Sequence, residues 1–256
     1  MVIVGSFPKL AVLLALASAP APWAAGSLLV VDRGLPQANL NNVSGAARSN
    51  VRWGSDDQAF VGDSFVVGAP GEKWVIDSIR TWAVPGQTRV DPDHLGDFYQ
   101  DVRLYFGPNG SSLTPIASAR LSSGSDATHN PNVHISEATR SGGQLYDDFG
   151  TALRVWQIDF KNLALWVEGG MAYSFGVWGM GRAAPRRAGK VFEWFNHASN
   201  AALSGVPQDG ADGLLLLFDG SGGYQGDFNG QGNGWDKGSD INVQVFAHRI
   251  QESVSE

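Results

Sequence analysis

The chain contains no cysteine, and that absence removes disulfides, thiolate metal sites and thiol nucleophiles together. Charge is also scarce: 17% of residues are charged and the net charge is −7, which disfavours a phosphate-backbone partner, so no nucleic acid is expected. The one basic cluster, Arg182 with Arg186, Arg187 and Lys190, sits among Gly, Ala and Pro and reads as a solvated loop. Helical periodicity is nearly missing. Beyond the first residues no apolar run approaches the roughly 20 residues that a membrane-spanning helix needs, so no membrane span is expected. Catalytic signatures are missing as well: no Gly-x-Ser-x-Gly elbow, no His-Glu-x-x-His and no phosphate loop.

What is present begins with an address. Lys9 precedes the apolar run Leu10–Ala17, and small residues follow with Ala24-Ala25-Gly26 or Ala17-Ser18-Ala19 as cleavage sites. Residues 1–26 therefore read as a signal peptide, residues 27–256 as one domain, and the protein as secreted or in the secretory pathway. Asn42 and Asn109 head N-glycosylation sequons, usable in a eukaryote.

The body is patterned as strands. Apolar or alternating segments at 28–31, 64–67, 74–84, 102–106, 116–121, 153–160, 163–167, 172–178, 190–195, 214–218 and 241–248 are separated by turn residues drawn from 33 glycines and 12 prolines. The expected fold is all-β, a two-sheet antiparallel β-sandwich of jelly-roll type. Asn196–Ser204 is the one stretch read as a short helix, and Gly220–Gly238 reads as a single long loop.

Metal and acid–base sites find little support. Asp227–Gly232 opens like an EF-hand loop, but Gly238 stands where the bidentate Glu belongs; a looser calcium site would draw on Asp219, Asp227, Asn229 or Asp236. Asp56-Asp57, Asp91-x-Asp93 and Asp147-Asp148 invite a glycosidase reading, yet neighbouring acids in turns are ordinarily solvated turn formers. His129, His134 and His197 lack metal-ligand spacing, so neither metal nor cofactor is expected.

Tryptophan is the surplus. Eight of nine lie beyond the leader, and alternation assigns Trp156 to the core along with Trp74, leaving Trp166 and Trp235 open. Ala172, Ser174 and Gly176 make a thin strand face ending in Trp178, which either admits a ligand or is filled by close packing. Trp53, Trp82, Tyr99, Trp178 and Trp194 lie near strand ends and are candidate binding residues, alongside Arg48, Arg80, Arg182, His129 and His197 as donors. Aromatic walls with a few donors hold a flat apolar molecule or a sugar ring.

Three stretches, Val31–Asn42, Arg48–Trp53 and Gly62–Phe65, together with Trp74–Trp82, are similar to a group of small secreted-type fungal β-proteins. Some of that group are hetero-Diels–Alderases of tropolone-sesquiterpenoid biosynthesis. The close at 238–245 (GSDINVQV) also resembles anchored bacterial surface proteins. The first resemblance implies a cofactor-free pericyclase joining a tropolone quinone methide to a cyclic sesquiterpene alkene such as a humulene. Such an enzyme works by orienting a small apolar and aromatic substrate pair, with Arg182 and His197 as candidate catalytic donors to the quinone-methide oxygen. A homodimer is compatible with this reading. The alternatives are a non-catalytic carbohydrate-binding or surface sandwich and, third, a glycan-cleaving enzyme.

Overall fold

The computed structural model describes residues 26–34, 50–52, 59–84, 93–138, 146–148, 151–183, 191–199, 213–228 and 240–251. In chain order these form β1 (Leu28–Asp32), β2 (Asn50–Arg52), β3 (Ala59–Val66), β4 (Lys73–Ala83), the single helical turn α1 (Leu95–Phe98), β5 (Asp101–Pro108), β6 (Thr114–Arg120) and β7 (Val133–Ala138). They continue with β8 (Tyr146–Asp148), β9 (Thr151–Leu153), β10 (Val155–Glu168), β11 (Ala172–Trp178), β12 (Phe195–Ser199), β13 (Leu215–Asp219), β14 (Tyr224–Phe228), β15 (Asp240–Ile241) and β16 (Val243–Arg249). The fold is the expected all-β, two-sheet antiparallel sandwich. One sheet runs β1-β16-β4-β10-β7, with β12 joined to the end of β4 and carrying β2 and β15; the other runs β14-β13-β3-β11-β5-β6. No helix among the described residues is long and apolar enough to cross a membrane. The leader read at 1–26 lies, apart from Gly26, outside the described residues.

Alternation builds the core. In β10, Trp156, Ile158 and Phe160 are fully buried while Gln157 is half-buried and bonds Asp159 across the outer face. The two segments expected at 153–160 and 163–167 belong largely to this one strand. A bulge joins them: the register jumps from Lys161↔Ser78 to Leu165↔Ile76, and Asn162 and Ala164 take left-handed φ of 55° and 51°. The extra residues reset the alternation, so Val167 enters the core and Trp166 stands 72% exposed.

The thin face of β11 is filled by close packing. A methyl added at Gly176 would lie 2.4 Å from the Phe60 ring, and one at Gly62 would lie 2.3 Å from the Phe175 carbonyl oxygen. Phe60 then continues an aromatic layer on the outer side of the six-stranded sheet, 4.6 Å from Tyr105, 5.3 Å from Phe218 and 6.3 Å from Trp178.

Three expectations are corrected. Asn196–Ser199, read as the start of a helix, is strand, because β12 pairs with β2, β4 and β15 and its backbone closes hydrogen bonds from Val84 and Asn242. Those tertiary bonds outweigh the helix preference of its alanine. Gly220–Gly238 is not one loop, since Tyr224–Phe228 forms β14 on β13. Val191 makes only an isolated bridge with Ala183, and the strand expected at 190–195 starts at Phe195 instead.

A buried ionic knot ties the sheets at one end. Arg33 donates to Asp63 at 2.7 Å, to the Ser64 carbonyl and to the Ile241 carbonyl at 3.3 Å. Asp63 also accepts from the amides of Ser64 (2.6 Å) and Ile241 (2.5 Å), while Asp240 accepts from Gly213 at 3.0 Å. Desolvation by burial pushes Asp63 up to about 7 despite Arg33, and the neighbouring Asp240 adds to the rise. Parts of three stretches quoted for the family resemblances, at 31–34, 62–65 and 240–242, meet in this knot, so their pattern has a structural cause.

Candidate functional site

The candidate residues of the sequence separate into three places. Tyr99, Trp194 and Arg182 gather around α1. The Tyr99 and Trp194 rings meet at a tilt of 56° with centroids 4.6 Å apart, 0% and 3% exposed, and the Tyr99 hydroxyl donates to the Glu193 carbonyl at 2.6 Å. Burial raises the Tyr99 hydroxyl well above its ordinary pKa, so it stays a neutral donor. The Arg182 guanidinium is spent on backbone: it donates to the carbonyls of Gly96 (2.7 Å), Tyr99 (3.1 Å) and Leu121 (2.7 Å). That geometry clamps the α1 turn to the β6 end.

Trp82 and His197 come together on the outer face of the eight-stranded sheet. Register pairs Ala83 with Asn196, whose side chain accepts from Trp194 on the core side, so Phe195 and His197 point to the face that carries Trp82. Trp82, Val84, Val155 and Phe195 form a small apolar cluster separate from the main core. Beside it runs a polar row in which Arg80 pairs with Asp159 (2.5 Å) and reaches Gln244, while His197 Nδ1 lies 3.4 Å from Asn242. Trp82 is 1% and His197 2% exposed. Trp53 lies outside the described residues.

Trp178 occupies the third place, on the outer side of the six-stranded sheet. It is buried under the Arg103 guanidinium, whose Cζ lies 5.3 Å from the ring centroid. Arg103 in turn lines an open cleft of about 400 Å³. Asp101, Arg103, Ser118, Arg120, His129 and Asn130 line it with polar side chains, and Ala119 is the one apolar member. Strand pairing makes the site: Asp101 lies opposite Arg120 and Arg103 opposite Ser118 in the β5–β6 ladder. The loop carrying His129 is held down by Asn130, which donates to the Ser118 carbonyl at 2.9 Å, and by Thr128, which donates to the Val133 carbonyl at 2.6 Å. Asp101 is fixed on both oxygens, taking Arg103 at 2.5 and 3.0 Å on one and the Met180 amide at 3.0 Å on the other. The polar lining is thus largely set before any ligand arrives. Of these residues only His129 stood among the sequence candidates. For Asp101 and Arg103 the readable signal is the alternation in Asp101-Val102-Arg103-Leu104, which sends acid and base to one face; Ser118, Arg120 and Asn130 carry none.

Other chemistry is thin among the described residues. No group of three His, Asp or Glu is placed to hold a metal ion. Asp219, a candidate calcium ligand, serves its own turn instead: hydrogen bonds from Ser221 and Gly223 hold its pKa down. Asp227 accepts from the Tyr224 hydroxyl at 2.7 Å, and Asn229 and Asp236 lie outside the described residues. Ser27 donates to the Asp77 oxygen that also lies 2.8 Å from His248 Nδ1. Comparison of the chain with protein-family models, curated proteins and solved structures finds no match.

Proposed function

We propose that this protein is a non-catalytic binding protein and that the β5–β6 cleft holds a polyhydroxylated ligand, a saccharide. The observation that carries the reading is the lining: six of its seven residues present hydrogen-bonding side chains in an open cleft, whereas Trp82, Tyr99, Trp178 and Trp194 are all interior. Burying a polar group without a partner costs about 1–3 kcal/mol, so an apolar guest covering Arg120, His129 and Asn130 would be rejected. A sugar replaces the water hydrogen bonds it displaces. Fixed planar groups such as Asp101 and Arg103 suit vicinal hydroxyls, and their mutual bonds spare the ordering cost on binding. The test is an amide-resonance titration with a panel of oligosaccharides, in which saturable shifts at 101–103, 118–120 and 129–130 are expected. Absence of shifts with every saccharide at millimolar concentration overturns the reading.

A second reading rests on the Trp82–Phe195 cluster. Hetero-Diels–Alder joining of a tropolone quinone methide to a sesquiterpene alkene needs an apolar wall and a donor near the developing oxyanion. Support comes from the resemblance of 31–42, 48–53, 62–65 and 74–82, and from Arg80 and His197 beside that wall. Arg182 stands apart from this wall, giving hydrogen bonds to three backbone carbonyls around α1. Incubation with a quinone-methide precursor and humulene decides: a gain in rate or stereoselectivity over buffer supports this reading, and no gain removes it.

A further inference from the structure

The cleft has a surplus of positive charge, and we propose that its ligand is acidic: a uronic-acid-type saccharide whose carboxylate seats on Arg120 and His129. The inference rests on the saccharide reading of the same cleft. In the β5–β6 ladder Asp101 stands directly opposite Arg120, where a cross-strand ion pair is the ordinary outcome. That pair does not form, because one Asp101 oxygen is taken by both Nε and Nη2 of Arg103 and the other by the Met180 amide. Arg120 is left exposed at the cleft with no carboxylate partner among the described residues, and His129 is exposed beside it. The surplus stands out in a chain with 25 acidic and 18 basic residues.

A guanidinium presents a planar fork of donors that matches a carboxylate in two hydrogen bonds. A neutral sugar offers it hydroxyl acceptors only, and the charge then stays uncompensated. Inorganic anions share the carboxylate's charge but not its sugar ring, so they are the competing source.

Isothermal titration of the full chain with an oligogalacturonate, its methyl ester and sodium sulfate separates the cases. The acid form is expected to bind about tenfold more tightly than the ester, the lower end of what a hydrogen bond to a charged group yields. Arg120→Gln brings the acid-to-ester ratio to near one, His129→Gln narrows it, and sulfate at equal concentration does not displace the acid form. Equal binding of acid and ester, or an unchanged ratio in Arg120→Gln, overturns the anionic inference and leaves the saccharide reading standing. Failure of both forms to bind overturns the anionic inference, and failure of the whole saccharide panel as well overturns both readings. Displacement of the acid form by equal sulfate overturns the seating of a sugar and makes the cleft a simple anion site.

Discussion

At the scale of single residues, Trp178 is held between the Phe60 ring, 6.3 Å away, and the Arg103 guanidinium, 5.3 Å from its centroid. Trp178 sits at a strand end after a thin face, which reads as a pocket wall, yet it is 4% exposed, stacked near Phe60 and roofed by Arg103. Trp178→Ala is expected to cost about 3–5 kcal/mol of stability in denaturant unfolding, as for other buried tryptophans; a cost below about 1 kcal/mol contradicts its core placement. The reason for the misreading is geometric. Strand ends in this sandwich are closed over by α1, Phe192 and the outer-face aromatics, so a residue near a turn is still interior. Thr81 offers the opposite case: it lies within the sheet, 1% exposed, with its hydroxyl unpartnered among the described residues. Thr81→Val removes a buried polar atom at constant shape and is expected to raise stability by about 1 kcal/mol. A fall in stability would mean the hydroxyl has a partner.

At the scale of elements, strands with clean alternation were legible. Alternation and turn residues predict 172–178 to the residue and 74–84 to within one, because both sides of those strands are decided by burial. The strands missed are those made by partners rather than by pattern. β12 exists because β2, β4 and β15 offer hydrogen bonds, and nothing in Asn196-His197-Ala198-Ser199 announces that. The cleft was illegible for the same reason: its residues come from three separate stretches that only the β5–β6 register and the Asn130–Ser118 bond bring together. The β10 bulge gives an element-scale prediction. Ala164 holds a φ of 51°, which costs an L-residue roughly 1–2 kcal/mol and glycine nothing. Part of that gain is returned as unfolded-chain entropy, so Ala164→Gly is expected to stabilise by about 0.5–1 kcal/mol. Loss of stability in that variant would show that the bulge is relaxed as it stands.

At the scale of the whole molecule, a chain without disulfides joins its two sheets by packing and by the Arg33–Asp63–Asp240 knot. Asp63 rises from an ordinary 3.8 to about 7, so between those values the folded chain keeps a proton that the unfolded chain releases. The resulting stabilisation is present below the ordinary value and lost as pH rises through 7, with a slope of at most about 1.4 kcal/mol per pH unit. Glu72 and Asp219 run the other way, since hydrogen bonds lower them and their contribution is lost only at acid pH. Denaturant unfolding is therefore expected to show lower stability at pH 8 than at pH 5.5, with the Asp63 carboxyl carbon titrating near 7. A flat or rising profile across that window contradicts the burial account of the knot. The proposed saccharide site lies on the outer side of the six-stranded sheet, in the β5–β6 cleft. Amide resonances followed during titration with acidic oligosaccharides test it most directly. Saturable shifts confined to residues 101–103, 118–120 and 129–130 are expected, whereas shifts at Trp82, Phe195 and His197 on the opposite sheet, or none anywhere, would contradict a ligand site in the β5–β6 cleft.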